Sequence, residues 1–271
     1  LFNESGSLID CYFVNNKANN GGAVSFYSKG IVDACSFENN SAVDYGGAIY
    51  FKGISGTLSV ANSSFVDNSA GEGAAVYSQN NLISANNNWW GSNNPDWTTL
   101  ISQKMETPLS YAVLKVSANP QIMLVNSTAE LYYVFYWNGT AVKANVLPRL
   151  IALSSSGGKL RDDSGYLIDG EFSTEFTSDA AGIYEITTEV DNQEIKISID
   201  VKEGVFSNLI DEIGDGGNIT LKSPMYIYDY GDTINITKSG IIDGNGAVID
   251  MAGSDIQVFN VIADDVVIKK R

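Results

Sequence analysis

Histidine is absent from these 271 residues. That removes the side chain used most often as a general base and as a transition-metal ligand. The only cysteines are Cys11 and Cys35, too few for a disulfide-dense scaffold. Basic residues are scarce: 16 Lys and Arg face 32 Asp and Glu, a formal net charge of −16. Such a balance repels phosphate backbones and anionic lipid, so no nucleic-acid partner is expected. The deficit is spread along the chain, with 4 basic and 9 acidic residues in 1–106, 7 and 13 in 107–203, and 5 and 10 in 204–271. An evenly acidic chain reads as a solvated exterior rather than a docking patch. No apolar run approaches the roughly 20 residues that span a bilayer, so no direct membrane insertion is expected. A basic-then-apolar amino terminus is also missing. Because Leu1 falls inside patterned sequence, the chain reads as a fragment or processed subunit with its export signal and any anchor elsewhere.

What is present is repetition. Cys11-Tyr12-Phe13-Val14-Asn15-Asn16 is followed by Cys35-Ser36-Phe37-Glu38-Asn39-Asn40 and by Ser63-Ser64-Phe65-Val66-Asp67-Asn68. The run Asn87-Asn88-Trp89-Trp90-Gly91 closes the series. Aligned on Phe13, Phe37, Phe65 and Trp89, the spacings are about 24, 28 and 24 residues, a period in the solenoid range. A second motif recurs between them: Gly21-Gly22-Ala23-Val24, Gly46-Gly47-Ala48-Ile49 and Gly73-Ala74-Ala75-Val76. The β-favouring runs Leu8-Ile9, Ile31-Val32, Leu58-Ser59-Val60 and Leu82-Ile83 leave no room for a helix in each repeat. A coil of this length holding three short strands is a parallel β-helix, rising about 4.8 Å per coil. Phe13, Phe37, Phe65 and Trp89 are the expected core stack. The Asn-Asn pairs fit the turns, where Asn tolerates left-handed backbone and stacked amides bond from coil to coil.

From Pro108 to Glu203 the period vanishes and alternating strands replace it, as in Ala129–Tyr136, Ile183–Val190 and Glu194–Val201. Turn dipeptides such as Asn138-Gly139 and Asp191-Asn192 separate them. Six or seven short strands in this span predict an antiparallel sandwich of immunoglobulin-like kind, with Asp179–Tyr184 resembling a tyrosine corner. In the last segment, Val205–Gly214 has apolar residues at helical spacing and a glycine stop. Short strand-like runs follow as far as Val266-Val267-Ile268. The reading is therefore all-β in three parts: 1–106 the closing coils of a β-helix, 107–203 the sandwich, and 204–271 a helix-capped start of a second β-helix.

These coils, ending in Asn86-Asn87-Asn88-Trp89-Trp90-Gly91-Ser92-Asn93-Asn94-Pro95, resemble the adhesin-like surface proteins of methanogenic archaea. Related coils occur in polymorphic outer-membrane proteins of bacteria. The resemblance implies a right-handed parallel β-helix that this run closes before an immunoglobulin-like stalk module. It also implies that a helix followed by Ile242-Asp243-Gly244-Asn245-Gly246 opens a new β-helix, the helix plugging its end. The implied setting is extracellular, at an archaeal cell surface.

Candidate sites are few. Asp10, Asp33, Asp67, Asp96, Asp229 and Asp232 are carboxylates that an enzyme acting on polysaccharide would need in pairs. Coils 1–95 hold no arginine and only Lys17, Lys29 and Lys52, so a basic partner for lyase chemistry is missing and a solvated acidic face is favoured. No cofactor is expected. Asp243–Gly246 and Asp211…Asp215 match no calcium-loop pattern, and turn chemistry accounts for them, with adventitious calcium the alternative. Cys11 and Cys35 occupy one repeat position and stack on neighbouring coils, as free thiols in preference to a disulfide. Trp89 is expected to cap the coil core, with Trp90 and Trp97 covering the junction; a sugar-stacking platform is the alternative. Sequons place candidate glycosylation at Asn3, Asn62, Asn126, Asn138, Asn218 and Asn235, while Asn39 is set aside as part of the amide ladder. Whether Lys143 forms an isopeptide bond is left open. The expected role is a non-catalytic stalk or fibre, against the alternative of a β-helix enzyme acting on polysaccharide. Its expected partners are copies of itself docked head-to-tail near Leu1 and Arg271, or surface glycans and other cells.

Overall fold

The computed structural model describes the chain apart from Asn3, Ile54, Ser55, Asn81, Leu82, Pro224, Lys270 and Arg271. The first coil runs β1 (Gly6–Ile9), β2 (Tyr12–Val14), β3 (Lys17–Asn20) and β4 (Val24–Phe26). The second repeats it as β5 (Gly30–Asp33), β6 (Ser36–Glu38), β7 (Ser41–Tyr45) and β8 (Ile49–Phe51). The third holds β9 (Leu58–Ala61), β10 (Ser64–Val66) and β11 (Val76–Ser78), and β12 (Ile83–Ser84) begins a fourth. Equivalent strands pair in parallel register, with Phe13 beside Phe37 and Phe37 beside Phe65. Of the expected strand Leu82-Ile83, Leu82 lies outside the described residues.

Two expectations are corrected here. The first two coils carry four strands each, not three, because Lys17–Asn20 pairs with Ser41–Tyr45, segments that the sequence reading gave no strand. In a solenoid each coil supplies partners for the backbone of the next, so polar segments become strands despite weak β-propensity. The second correction is the core stack. Phe13, Phe37 and Phe65 stack with centroids 5.0 Å apart, but Trp90 continues the column at 4.8 Å from Phe65. Ser64, not Phe65, pairs with Trp89, so the last coil is one residue out of the register read from sequence.

The turns obey the same stacking. Asp10, Ala34, Asn62 and Asn87 form one left-handed column, and Asn15, Asn39 and Asp67 another. Gly46 has φ +66, and a Cβ on Gly47 would fall 2.0 Å from the Ala74 carbonyl oxygen of the next coil. Gly46 answers to backbone angle and Gly47 to the closeness of coils. After the fourth coil begins, α1 (Trp97–Leu100) forms with Asp96 as its N-cap, and Ile101 still pairs with Val76 of the coil below.

The middle of the chain is two packed sheets. Its strands are β13 (Ala112–Asn119), β14 (Ile122–Leu124), β15 (Thr128–Trp137), β16 (Arg149–Ser155) and β17 (Lys159–Leu160). They continue as β18 (Ser164–Leu167), β19 (Glu171–Thr177), β20 (Gly182–Val190) and β21 (Gln193–Lys202). One sheet is ordered β13-β15-β19-β17, the other β14-β21-β20-β16-β18. Every pairing is antiparallel except β14 with β21. Inward residues of both sheets, among them Leu131, Tyr133, Phe135, Ile151, Phe176, Ile186 and Ile199, form one core. The Tyr184 hydroxyl donates to the Ala180 carbonyl at 2.9 Å.

Parallel pairing returns in the last part. The elements are β22 (Gly204–Val205), α2 (Phe206–Ile213), β23 (Ile219–Thr220), β24 (Met225–Ile227), β25 (Ile234–Ile236), β26 (Gly240–Asp243), β27 (Val248–Asp250), β28 (Phe259–Val261) and β29 (Val266–Lys269). They stack as β22-β24-β27, β23-β26-β29 and β25-β28. Helix α2 buries Phe206, Leu209 and Ile213 against Tyr226, Ile234, Ile236 and Ile242. Gly214, at φ +54, ends it.

Candidate functional site: a locked junction

The most elaborate side-chain arrangement joins the first solenoid to the sandwich. Strand β16 alternates, with Arg149, Ile151 and Leu153 buried and Leu150 and Ala152 exposed. Arg149 thus points inward at the start of the strand, on the same face as Ile151 and Leu153. Its Nε donates to Asp191 Oδ2 at 2.9 Å, and a second nitrogen donates to Asp191 Oδ1. The third nitrogen reaches across to the solenoid and donates to Glu38 Oε1 at 2.7 Å. Trp89 completes the set, its indole N–H donating to Asp191 Oδ2 at 2.6 Å while its ring packs edge-on against Phe135 at 4.8 Å. Trp89 therefore belongs to the sandwich core, and Trp90 to the coil stack. That reverses the expected roles of the two tryptophans.

Charge at this depth must be paired. The Arg149 side chain is only 9 % exposed, Asp191 10 % and Glu38 32 %. Burial alone would lower the guanidinium's pKa, but the two carboxylates outweigh it and hold the charge more firmly. Burial likewise works to raise Glu38, and the Arg149 charge with the Ser36 hydroxyl holds it below the usual carboxylate range. Around this centre a polar seam closes the contact. Asn93 exchanges two bonds with the Leu114 backbone, at 2.8 and 2.6 Å. Asn93 N–H donates to Gln193 Oε1 at 2.6 Å, and Asn192 Nδ2 to Asp67 Oδ1 at 2.8 Å. Arg149 was not foreseen. The signal was its parity with Ile151, which puts a charge on the buried face of a strand, but parity does not say which carboxylate meets it.

The remaining predicted residues fall into structural places. Asp33 accepts from Asn62, Asp67 from Asn192, Asp96 from Thr98, and Asp229 from Ser207 at the start of α2. Asp243 accepts from the Asn245 backbone inside its own turn. Among the described residues no group of three or more His, Cys, Asp or Glu is placed to hold a metal ion. Lys143 forms a partly exposed ion pair with Glu171 at 2.9 Å, not a buried cluster. Trp89 and Trp90 are buried and so offer sugars no platform.

The amide ladder runs through Asn16, Asn40 and Asn68, with bonds of 2.8 and 3.0 Å. Asn40 is the buried member and Asn39 is an exposed turn residue, which reverses the reason for setting Asn39 aside. Of the candidate sequons, Asn126, Asn218 and Asn235 are exposed, and Asn62 is exposed with its amide bonded to Asp33. Asn138 is half-buried and holds the Tyr111 backbone at 2.8 Å. Asn3 lies outside the described residues.

Cys11 and Cys35 are both free thiols, each donating to the carbonyl two residues before it at 3.2 Å. Burial pushes the Cys35 thiol up to about 11, so at neutral pH it holds its proton. A thiol-specific reagent should therefore modify Cys11 well before Cys35 in the folded chain. Equal rates, read by peptide mass spectrometry over time, would contradict the packing of Cys35.

No described helix is long and apolar enough to cross a membrane. No curated protein matches the chain. Among solved structures, the adhesin InvE of Yersinia pseudotuberculosis aligns at 12% identity over 40% of this chain and 38% of that one, with a TM-score of 0.29. The D0–D1 domain of intimin aligns at 14% identity over 37% and 58% of the two chains, with a TM-score of 0.28. The chain thus spans less than two thirds of either structure, and likenesses at this level carry no argument. Residues 10–27 and 34–52 match the model of the chlamydial polymorphic membrane protein repeat, so the first two coils are similar to that repeat.

Proposed function

We propose that this chain is a non-catalytic segment of an extracellular surface protein, a stiff stalk that holds an adhesive surface away from the cell. The observation that carries the reading is the coil repeat: residues 10–27 and 34–52 are similar to a repeat of a polymorphic membrane protein. The locked junction supports it mechanically. A stalk works only if its parts do not swivel, and a buried Arg149 bridging Asp191 and Glu38 resists rotation between solenoid and sandwich. The sandwich then serves as an immunoglobulin-like spacer, of the kind found in the adhesin-like proteins of methanogenic archaea. The expected partners are surface glycans, other cells or further copies of the chain.

The test is made on the cells that produce the protein. Antibodies raised against the full chain should label intact cells, and deleting the segment should reduce attachment. Labelling only after permeabilisation would remove the surface placement; unchanged attachment would remove the adhesive role.

A further inference from the structure

The outer face of β15 departs from the alternation expected of a sandwich strand, as do the exposed Leu150, Tyr166 and Ile183 elsewhere on the two sheets. A sandwich strand places apolar residues inward and polar ones outward. In β15 the inward residues are Leu131, Tyr133 and Phe135, all fully buried. The outward residues between them are Tyr132, Val134 and Tyr136, apolar where solvent should select polarity. Strand register shows what flanks this strip. On one side Ser117 lies opposite Tyr132 and Lys115 opposite Val134. On the other, Ser173 lies opposite Tyr132, Glu171 opposite Val134, and Lys143 opposite Tyr136. The result is an apolar strip flanked by polar residues except where Val113 lies opposite Tyr136. A groove of about 320 Å³ lies on the β13 side of this strip and is lined also by Thr140 and Ala141.

The rings are available. Tyr132 is 38% exposed and stacks on no other aromatic ring among the described residues. Tyr136 is half-buried, with the Lys115 ammonium over its ring at 5.4 Å from the centroid. The outward tyrosines of the first solenoid differ, because they cover one another: Tyr50 stacks on Tyr77 at 5.6 Å, and Tyr45 covers Tyr77 at 4.4 Å. That ladder offers edges, whereas on β15 Tyr132 offers a free face and Tyr136 a ring covered on one side by Lys115.

Charge chooses the occupant. Lys115 and Lys143 are balanced by Glu171 and by Glu130, which accepts from the Tyr132 hydroxyl. These four charges around the strip sum to zero on a chain of net charge −16, whose overall field disfavours an acidic polymer. A neutral pyranose chain fits both features. Its C–H faces pack on aromatic rings, and its hydroxyls find donors and acceptors in Ser117, Lys115 and Thr140 of the groove lining. We propose that the β15 face is a binding site for a neutral polysaccharide, with Tyr132 and Tyr136 as the stacking platform. This deepens the reading of the chain as an adhesive surface protein and rests on it.

The experiment is titration calorimetry of the full chain with cellohexaose, chitohexaose and a linear mannan oligosaccharide, and with oligogalacturonate as the acidic control. At least one neutral oligosaccharide should bind in preference to the acidic one. Tyr132→Ala and Tyr136→Ala should each weaken that binding by about tenfold or more, as truncated aromatic anchors do. Tyr132→Phe, which keeps the ring, should retain it. Circular dichroism and the melting temperature should be unchanged in these exposed-face variants. Three results would overturn the assignment: no binding by any neutral probe, binding indifferent to both alanine changes, or self-association that Tyr132→Ala abolishes, which would make this face an interface between copies. Binding by the purified chain does not depend on where the cell places it, so failure here is distinguishable from failure of surface labelling.

Discussion

Arg149→Ala should destabilise the chain by about 3–5 kcal/mol, the range found when one partner of a buried ion pair is removed. The reason is less the lost attraction than what remains. Asp191 would keep one bond from the Trp89 indole, and Glu38 one from the Ser36 hydroxyl, each with its counter-charge gone. Because Glu38 is about a third exposed, water recovers part of its share, and Asp191 carries most of the cost. Denaturant unfolding, followed by tryptophan fluorescence, measures it; a loss below about 1 kcal/mol would mean that the bridge is solvated and the junction loose. Acid gives a second readout. Glu38 is held below the usual carboxylate range once folded, so its contribution is present above that range. It disappears as pH falls through the depressed value, where protonation breaks the bridge. Arg149→Ala should flatten this part of the acid-stability profile.

Phe37→Ala should cost a similar amount, about 3–5 kcal/mol, as buried aromatic truncations do. Phe37 is fully buried and sandwiched between Phe13 and Phe65, both 5.0 Å away in near-parallel stacking. Removing it deletes two ring contacts and opens a cavity that coils cannot close, since their separation is set by backbone hydrogen bonds above and below. Phe13→Ala should cost less, because Phe13 is partly exposed and has one ring neighbour among the described residues. Thermal unfolding of the two variants gives the comparison. Equal losses would show that stacking within the column contributes little beyond burial.

How much of this could be read in advance depended on the range of the interaction. The coil repeat was legible because aromatic, turn and glycine positions recur, and stacking coils requires equivalent residues to meet. Asn16, Asn40 and Asn68 form their ladder for that reason. The helix over Phe206–Ile213 was legible from its apolar spacing and from Gly214. Errors came where one residue of register mattered. Trp89 and Trp90 are adjacent and chemically alike, so alignment could not say which continues the phenylalanine column. Asn39 and Asn40 pose the same ambiguity, and only the packed coils place the second in the ladder and the first at the exposed turn.

By itself, then, the sequence determined what repeats and what is local: stacked parallel coils, alternating strands in the middle, an acidic exterior without histidine. Tertiary structure alone decided what is singular and distant. Arg149 meets Asp191 across 42 residues of chain and Glu38 across 111, and nothing near any of the three announces the others. A repeat advertises its partners by periodicity, whereas a unique buried charge is matched only after two cores have formed and brought it to its counter-ion.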